Sequence, residues 1–290
     1  MRFPTLLGLL LLAACTPIAG TSTTSTTSTT APTTTITVGV TSTVGTTQTP
    51  VGCPQSADFL EGGQVARIDQ PASDANILGL ISWEVEVGCE LFRLAFETNE
   101  GAPATTPPSV VVEYLDSGQV LRIHLDLERT VITDQLVETT LVDRLYVVRA
   151  LDGGLFVDLH LAAPSQARAT VRNSPAGLTV ELQMGIQPFS GTATISDQVV
   201  VLDPSPGAET ASTVEVSGYA RTFEATVLVI ATSAGQAVVE TNTQAADWAE
   251  TWGEFRTTVE VLPGAISLFV GEESPNDGAL AGAIVEITVR

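Results

Sequence analysis

The segment Leu121-Arg122-Ile123-His124-Leu125-Asp126-Leu127-Glu128 decides the fold class, because apolar and polar residues alternate over its eight positions. A period of two places every second side chain on the same face, as in a strand with one face on a core and the other in water. The same period recurs at 83–87, 155–161 and 178–182. No segment of the sequence has a convincing helical stripe of apolar residues. The pattern predicts an all-β protein.

The second half of the sequence predicts seven short strands between residues 198 and 289. Turn residues such as Asp203-Pro204-Ser205-Pro206-Gly207 separate them, which is typical of an immunoglobulin-like sandwich. This half contains no cysteine, so the sandwich has no intersheet disulfide. We therefore expect two β-sandwich domains, at residues 53–184 and 186–290.

The formal net charge of −21 results from a deficit of basic residues. The 33 Asp and Glu are ordinary for 290 residues, whereas all 12 basic residues are Arg and none is Lys. Binding to nucleic acid or docking on anionic lipid needs clusters of Lys and Arg. The absence of Lys also excludes a Schiff-base lysine and a P-loop lysine. We expect no nucleic-acid partner and no cofactor.

The first fifteen residues have the parts of a bacterial lipoprotein signal peptide. Arg2 precedes an apolar run at 6–14 that is too short to span a bilayer, which takes about 20 residues. Leu12-Ala13-Ala14-Cys15 resembles a lipobox, in which the cysteine thiol receives diacylglycerol and becomes the mature N-terminus. Acyl chains such as palmitate on Cys15 would anchor the protein on the extracytoplasmic face of the cell membrane. The alternative is an ordinary signal peptide with a chance cysteine.

The segment 16–50 contains 17 Thr, 4 Ser and no charged residue. It has too few apolar groups to offset its chain entropy by burial, so we expect a disordered linker at 15–52. Threonine-rich and serine-rich runs with interspersed proline are typical of O-glycosylated stalks, and a bare spacer is the alternative.

Cys53 and Cys89 are the two cysteines that follow Cys15. In an exported protein an even pair is most simply a disulfide. A Cys53–Cys89 bond would fasten the start of the first domain to a bend predicted at Gly88, where the inward parity of the apolar residues changes.

The stretch Val87-Gly88-Cys89-Glu90-Leu91-Phe92-Arg93-Leu94-Ala95-Phe96-Glu97 resembles the opening of AMIN-like domains in lipoproteins of high-GC bacteria. In that family a glycine-containing turn leads into an aromatic-Asp-Arg strand that ends in Phe-Glu. Phe92 departs from the pattern, since it replaces the acidic residue before Arg93. The resemblance implies an AMIN-like sandwich at 53–184. AMIN domains proper are associated with binding cell-wall glycan.

Three motifs of the second half occur at 218–225, 252–255 and 273–278. Their order and spacing resemble the immunoglobulin-like domain of bacterial spore-germination proteins (Gmad type). Asn276 departs from the family, which usually has a basic residue there. The resemblance implies an architecture and a cell-envelope setting, but no activity.

Several residues of these motifs have a predicted structural role. Phe223, Trp252 and Phe255 are expected to anchor the core of the second domain. Glu224 follows Phe223 at a strand start, and a buried carboxylate there would need hydrogen-bond partners. We expect it to accept backbone N–H groups from the 274–278 turn.

Trp248 lies outside these motifs, between Asp247 and Glu250 in a mostly polar connection. This position favours the rim of the domain, where an aromatic face can stack on a sugar or on a partner's side chain. The alternative is a ring that lies flat over its own loop.

The two histidines are the remaining candidates for chemistry. His124 lies two residues from Asp126, and His160 two residues from Asp158, each pair on the polar side of a strand. No third ligand or nucleophile is spaced to join them, so the pattern predicts solvated faces rather than a metal site or a general base. Asn276-Asp277-Gly278 lacks the repeated Asp/Asn pattern of a calcium loop and predicts a turn.

Together these features predict a non-catalytic lipoprotein of the cell envelope that binds cell-wall glycan (peptidoglycan) or an envelope partner protein. One alternative is an envelope hydrolase or metal-dependent enzyme with its site on the face of His124 and His160. Another is a purely structural member of a germination or envelope-assembly complex.

Overall fold

The structure is a computed structural model that describes residues 58–274 and 276–290. The predictions for the signal peptide, Cys15, the linker and Cys53 fall outside the described residues. The described chain forms twenty strands and one short 3-10 turn, Phe223–Ala225, which confirms the all-β prediction. Among these residues no helix is long and apolar enough to cross a membrane.

The first sandwich is built from eleven strands along which apolar and polar residues largely alternate. These strands are β1 (Gln64–Ile68), β2 (Ile77–Glu86), β3 (Cys89–Glu97), β4 (Val110–Tyr114), β5 (Val120–Leu125), β6 (Arg129–Thr130), β7 (Asp134–Leu136), β8 (Val142–Arg149), β9 (Leu155–Leu161), β10 (Ser165–Arg172) and β11 (Gly177–Met184).

The bend predicted at Gly88 is a hairpin between β2 and β3. Glu86 pairs with Cys89, so Val87 and Gly88 form the turn. Gly88 has a φ of +90°, a conformation that glycine adopts without steric cost. Cys89 is buried at the start of β3. Its pairing with Cys53 stays a prediction.

The second sandwich contains nine strands and the Phe223–Ala225 turn. Its strands are β12 (Thr194–Ile195), β13 (Val199–Asp203), β14 (Glu209–Thr210), β15 (Thr213–Ala220), β16 (Thr226–Ser233), β17 (Gln236–Gln244), β18 (Trp252–Glu260), β19 (Gly264–Glu273) and β20 (Leu280–Val289).

The strands form three sheets, of which one passes through both sandwiches. Two five-stranded sheets, β10-β11-β3-β2-β6 and β14-β20-β19-β16-β17, belong to one sandwich each. The ten-stranded sheet runs β1-β4-β5-β9-β8-β18-β15-β13-β12, with β7 beside β8. The sandwiches meet where β8 and β18 pair in parallel, with Val148 opposite Trp252 and Arg149 opposite Gly253. The backbone itself therefore joins the two halves.

Each sandwich has its own apolar core, and a third cluster lies where they meet. Phe92 and Phe96 are among the largest buried side chains of the first core, and Phe255 is the largest of the second. We call the third group the junction cluster; it contains Tyr146, Val148, Ala150, Phe156, Val200, Tyr219 and Trp252.

Candidate functional site

One face of strands β5 and β9 carries most of the polar residues that the sequence offered for chemistry. Arg122 pairs with Asp158, and His124 lies two residues further along β5, on the same face. The predicted sharing of a face by His124 and His160 is therefore confirmed. The prediction that this face is solvated is wrong for its central part, because Asp158 is 0% and His160 2% exposed. The second sandwich covers them.

The centre of this face holds a buried ion pair. Arg122 donates from Nε to Asp158 Oδ1 at 2.8 Å and from Nη2 to Oδ2 at 2.7 Å. The guanidinium carbon also lies 3.7 Å from the centroid of the Phe156 ring. Two parallel charge-assisted hydrogen bonds fix the orientation of both groups. The pair gives the junction a rigid polar centre.

His160 is enclosed beside this pair. Its Nε2 is hydrogen-bonded to the Tyr219 hydroxyl, and the Tyr146 ring meets it edge-on at 5.2 Å. Burial lowers the pKa of His160 to about 4, so the ring is neutral at neutral pH. Its Nδ1 has no hydrogen-bond partner among the described residues. A substrate in solvent does not reach this ring.

His124 is placed differently, because it lies near the open end of the same face. Its Nε2 is 3.0 Å from Glu113 Oε1, and both side chains are partly exposed. His124 and His160 are four residues apart in the strand register, which corresponds to about 13 Å. The fold does not bring them together. Within the described part of the chain no group of three or more His, Cys, Asp or Glu is arranged to hold a metal.

A polar cleft of about 610 Å³ opens beside the ion pair, and residues of both sandwiches line it. The Arg122 side chain lies at its base, with Nη1 3.9 Å from Glu254 Oε1. Two arginines, Arg122 and Arg256, face five carboxylates there. The carboxylates are those of Glu113, Asp116, Asp203, Glu215 and Glu254.

The walls of this interdomain cleft are held by backbone and side-chain contacts. Glu254 Oε2 accepts the Leu151 N–H at 3.0 Å, across the junction. A Cβ on Gly218 would lie 1.9 Å from the Val200 carbonyl oxygen, so only glycine allows β15 to approach β13 so closely. Burial, together with the charge of Glu215, raises the pKa of Asp203. The cleft is thus a fixed site rich in hydrogen-bond acceptors.

Trp252 is buried, as predicted, but it belongs to the junction cluster. Its ring meets Tyr146 at 4.9 Å and Tyr219 at 6.0 Å, both edge-on. Its Nε1 donates to Asp134 Oδ1 of the first sandwich at 3.2 Å. The expectation that Trp252 anchors the core of the second sandwich is wrong, because β18 carries it to the strand pair that joins the sandwiches. Phe255 lies in the second core, as predicted.

Phe223 is 55% exposed, so its predicted place in the core is wrong. Glu224 and Ala225 have φ values of +53° and +59°, and this left-handed turn sends Ala225 inward in its place. The predicted role of Glu224 is also wrong, since its side chain is exposed and the N–H groups of Asn276 and Gly278 bind Ser274. Glu272 supplies the carboxylate instead, and its Oε2 accepts the Phe223 N–H at 2.5 Å. The sequence carries no signal for the two left-handed residues, because neither is glycine.

Trp248 lies at the surface, 41% exposed, where its position outside the motifs predicted it. Its ring meets Phe223 at 5.6 Å. The loop beneath it is well held, because Asp247 Oδ1 accepts the backbone N–H groups of 248, 249 and 250 at 2.6, 2.9 and 3.2 Å. Its role as a ligand contact stays a prediction.

The segment 276–278 is a turn, as predicted. Asp277 Oδ1 accepts the Ala279 N–H at 3.2 Å, and the Gly278 N–H binds the Ser274 carbonyl at 2.9 Å. Hydrogen bonds from the side chain of Ser274 and the backbone of Ala279 lower the pKa of Asp277. These bonds use its carboxylate within the turn.

These features define an all-β protein of two sandwiches joined through one sheet, with a polar cleft at the junction. Residues 198–279 match the family model of the immunoglobulin-like domain of bacterial spore germination, named Gmad2. An immunoglobulin-like domain of this type therefore occupies strands β13 to β19. No curated protein sequence matched the chain. The AMIN-like character of the first sandwich stays a prediction.

Proposed function

We propose that this protein is a non-catalytic binding protein of the cell envelope, anchored as a lipoprotein through Cys15, and that its interdomain cleft binds cell-wall glycan. The observation that carries the proposal is that both sandwiches line one cleft, whose base is a buried ion pair. The immunoglobulin-like domain at 198–279 supports a setting in spore germination or envelope assembly.

The chemistry of the cleft suits a polyhydroxylated ligand. Carboxylates accept hydrogen bonds from sugar hydroxyls, and Arg122 and Arg256 supply donors beside them. Because the site is held by the joined sheet and by the Arg122–Asp158 pair, little ordering accompanies binding. The excess of carboxylates in the cleft, together with the net charge of −21, disfavours anionic polymers. Uncharged stretches of glycan strand fit best.

The state of the histidines supports binding rather than catalysis. A general base must reach the proton it abstracts and titrate near the working pH. His160 is enclosed and neutral, and His124 binds Glu113 at the far end of the face. The hydrolase alternative, with a site shared by the two histidines, loses its geometric basis.

The test is sedimentation of the mature protein with purified peptidoglycan. Asp116→Ala combined with Glu215→Ala removes two exposed carboxylates from the walls of the cleft. Since each hydrogen bond to a charged group contributes about 1.5–3 kcal/mol, we expect binding to weaken at least tenfold.

The matched control is Glu86→Ala combined with Asp197→Ala. This pair causes the same change in net charge at exposed positions that do not line the cleft. Retention should match that of the unmodified protein. Equal sedimentation of the cleft variant and the control would refute binding in the cleft.

A further inference from the structure

A second surface lies on the second sandwich, where two exposed aromatic rings meet. We call Phe223 and Trp248 the aromatic corner. Beside it is a cavity of about 240 Å³ that Phe223 and Leu228 line on its apolar side. The corner is separate from the interdomain cleft, since the two have no lining residue in common.

The apolar surface continues from the corner across the outer face of the β14-β20-β19-β16-β17 sheet. Ile230 lies opposite Phe269 on the neighbouring strand, and Phe269 lies opposite Ile284. Ile284 is 61% exposed, whereas Ile230 and Phe269 are half-buried. Contiguous apolar groups at the outside of a protein often mark a surface where a partner binds.

The backbone turn that exposes Phe223 is conformationally strained. Two successive non-glycine residues, Glu224 and Ala225, are in the left-handed region, which costs roughly 1 kcal/mol or more for each. Glu272 stabilises this turn by accepting the Phe223 N–H. The strained turn presents the Phe223 ring to solvent.

The charges around the cavity are all of one sign. Carboxylates of Glu224, Glu240, Glu272 and Glu273 line it together with Thr226 and Asn242, and none of the described residues that line it is basic. Arg221 lies behind the corner, where its Nε donates to the Trp248 carbonyl at 3.4 Å. A ligand that fills the cavity therefore meets apolar groups in the centre and carboxylates at the rim.

We propose that the aromatic corner and its cavity bind a basic segment of a partner protein, in which a Lys or Arg side chain enters among the glutamates while a neighbouring apolar side chain packs on Phe223 and Trp248. Charge complementarity selects this occupant. A second copy of this chain carries the same charge of −21 and no Lys, so like charges oppose self-association there. Aromatic rings can also hold the cation directly.

The test uses synthetic twelve-residue peptides in which Lys or Arg alternates with Leu and Trp, measured by fluorescence anisotropy. Two comparison peptides replace every basic residue by Glu or every apolar residue by Ser. We expect binding of the first peptide only, and weaker binding as the salt concentration rises.

Two variants locate the site. Phe223→Ser with Trp248→Ser should weaken peptide binding at least tenfold, as is usual for aromatic residues at the centre of an interface. Glu240→Gln with Glu273→Gln should weaken it several-fold and reduce its salt dependence. The control, Glu86→Gln with Asp197→Asn, makes the same change in charge elsewhere and should bind as the unmodified protein does. Thermal unfolding verifies that each variant is folded.

The remaining outcomes overturn the proposal. An equal loss of peptide binding in the control pair would mean that the peptide is attracted only to the overall negative charge of the protein. A dimer in solution that the aromatic variant abolishes would make the corner a self-association surface, and loss of peptidoglycan sedimentation in that variant would make it a glycan platform. The Asp116→Ala, Glu215→Ala variant should keep full peptide binding, so failure of the glycan proposal is visible separately.

Discussion

His160 and Tyr219 show how a single side chain of each sandwich holds the junction. The imidazole and the phenol share a hydrogen bond in a buried position, next to the Arg122–Asp158 pair. A charge on His160 would have to be accommodated without water. The junction therefore depends on a neutral histidine.

This dependence gives the junction a pH response. The pKa of His160 is about 4 in the folded protein, against 6.5 for an ordinary histidine. Because the unfolded state binds a proton at this residue more readily than the folded state does, protonation destabilises the fold. The stability that the neutral His160 contributes is fully present above pH 6.5 and is lost as the pH falls toward 4. The difference corresponds to roughly 3 kcal/mol.

Denaturant unfolding between pH 7 and 4 measures this loss. The free energy of unfolding should fall less steeply in His160→Gln than in the unmodified protein, since Gln does not titrate. The same slope in both proteins would contradict the buried neutral histidine.

The two tryptophans of the 248–252 segment should respond oppositely to truncation. Trp252→Ala removes a ring that packs on Tyr146 and Tyr219, and we expect a loss of about 3–5 kcal/mol in the free energy of unfolding. Trp248→Ala should change it by less than about 1 kcal/mol, because the ring is exposed. Urea unfolding decides this, and equal losses would place Trp248 in a core.

At the scale of the elements, the parallel pair of β8 and β18 is short but well supported. Only Val148 with Trp252 and Arg149 with Gly253 are in register. Beside it, Thr251 Oγ1 donates to the Val147 carbonyl at 2.5 Å. The loop before β18 lies so close to the strand that only a glycine, Gly253, leaves room for its backbone.

Gly253→Ala tests this close approach. A Cβ at 253 would lie 2.2 Å from Asp247 N and 2.3 Å from Asp247 O, both backbone atoms that cannot move without shifting the loop. We expect a loss of about 1–3 kcal/mol, as for overpacking in a core, and a change in Trp248 fluorescence. Gly62→Ala is the control, because a Cβ there meets nothing within 4 Å. A fully stable Gly253→Ala protein would contradict the packing described.

At the scale of the whole molecule, the proposed anchor would determine where the two proposed binding surfaces act. Two or three acyl chains on Cys15 would hold the protein stably in a membrane, at roughly 0.8 kcal/mol per buried methylene. In the proposed location, the cleft and the aromatic corner would act where glycan and partner proteins are both available. In this arrangement the protein would connect the wall to a basic envelope partner.

Cys15→Ser tests the anchor in cells. The variant should be released from membranes or remain as an unprocessed precursor, which fractionation and intact mass distinguish. Cys89→Ser combined with Cys53→Ser is the comparison, since it removes cysteines without touching the predicted lipid site and leaves no unpaired thiol. If the Cys15 variant stays in the membrane with the same processed mass as the unmodified protein, the anchor proposal is wrong.

The sequence by itself predicted the fold class and which side chains of a strand lie on the same face. Alternation along 121–128 and 155–161 predicts strands and places Asp158 and His160 on one side of their strand, because the side-chain period of a strand is two. The motifs around Trp252 and at 273–278 predicted the immunoglobulin-like domain, which residues 198–279 bear out. Local geometry and local pattern determine such features.

Only the tertiary structure decided which polar faces are covered. Asp158 and His160 read as exposed because periodicity states which residues share a face and not what packs on it. Their burial depends on β18 pairing with β8, and on Tyr219, which lies 59 residues from His160 in the chain. Phe223 faces solvent for a similar reason, since Glu272, 49 residues away, holds the turn that exposes it. Contacts between distant strands, which leave no periodic trace in the sequence, made the cleft and the aromatic corner.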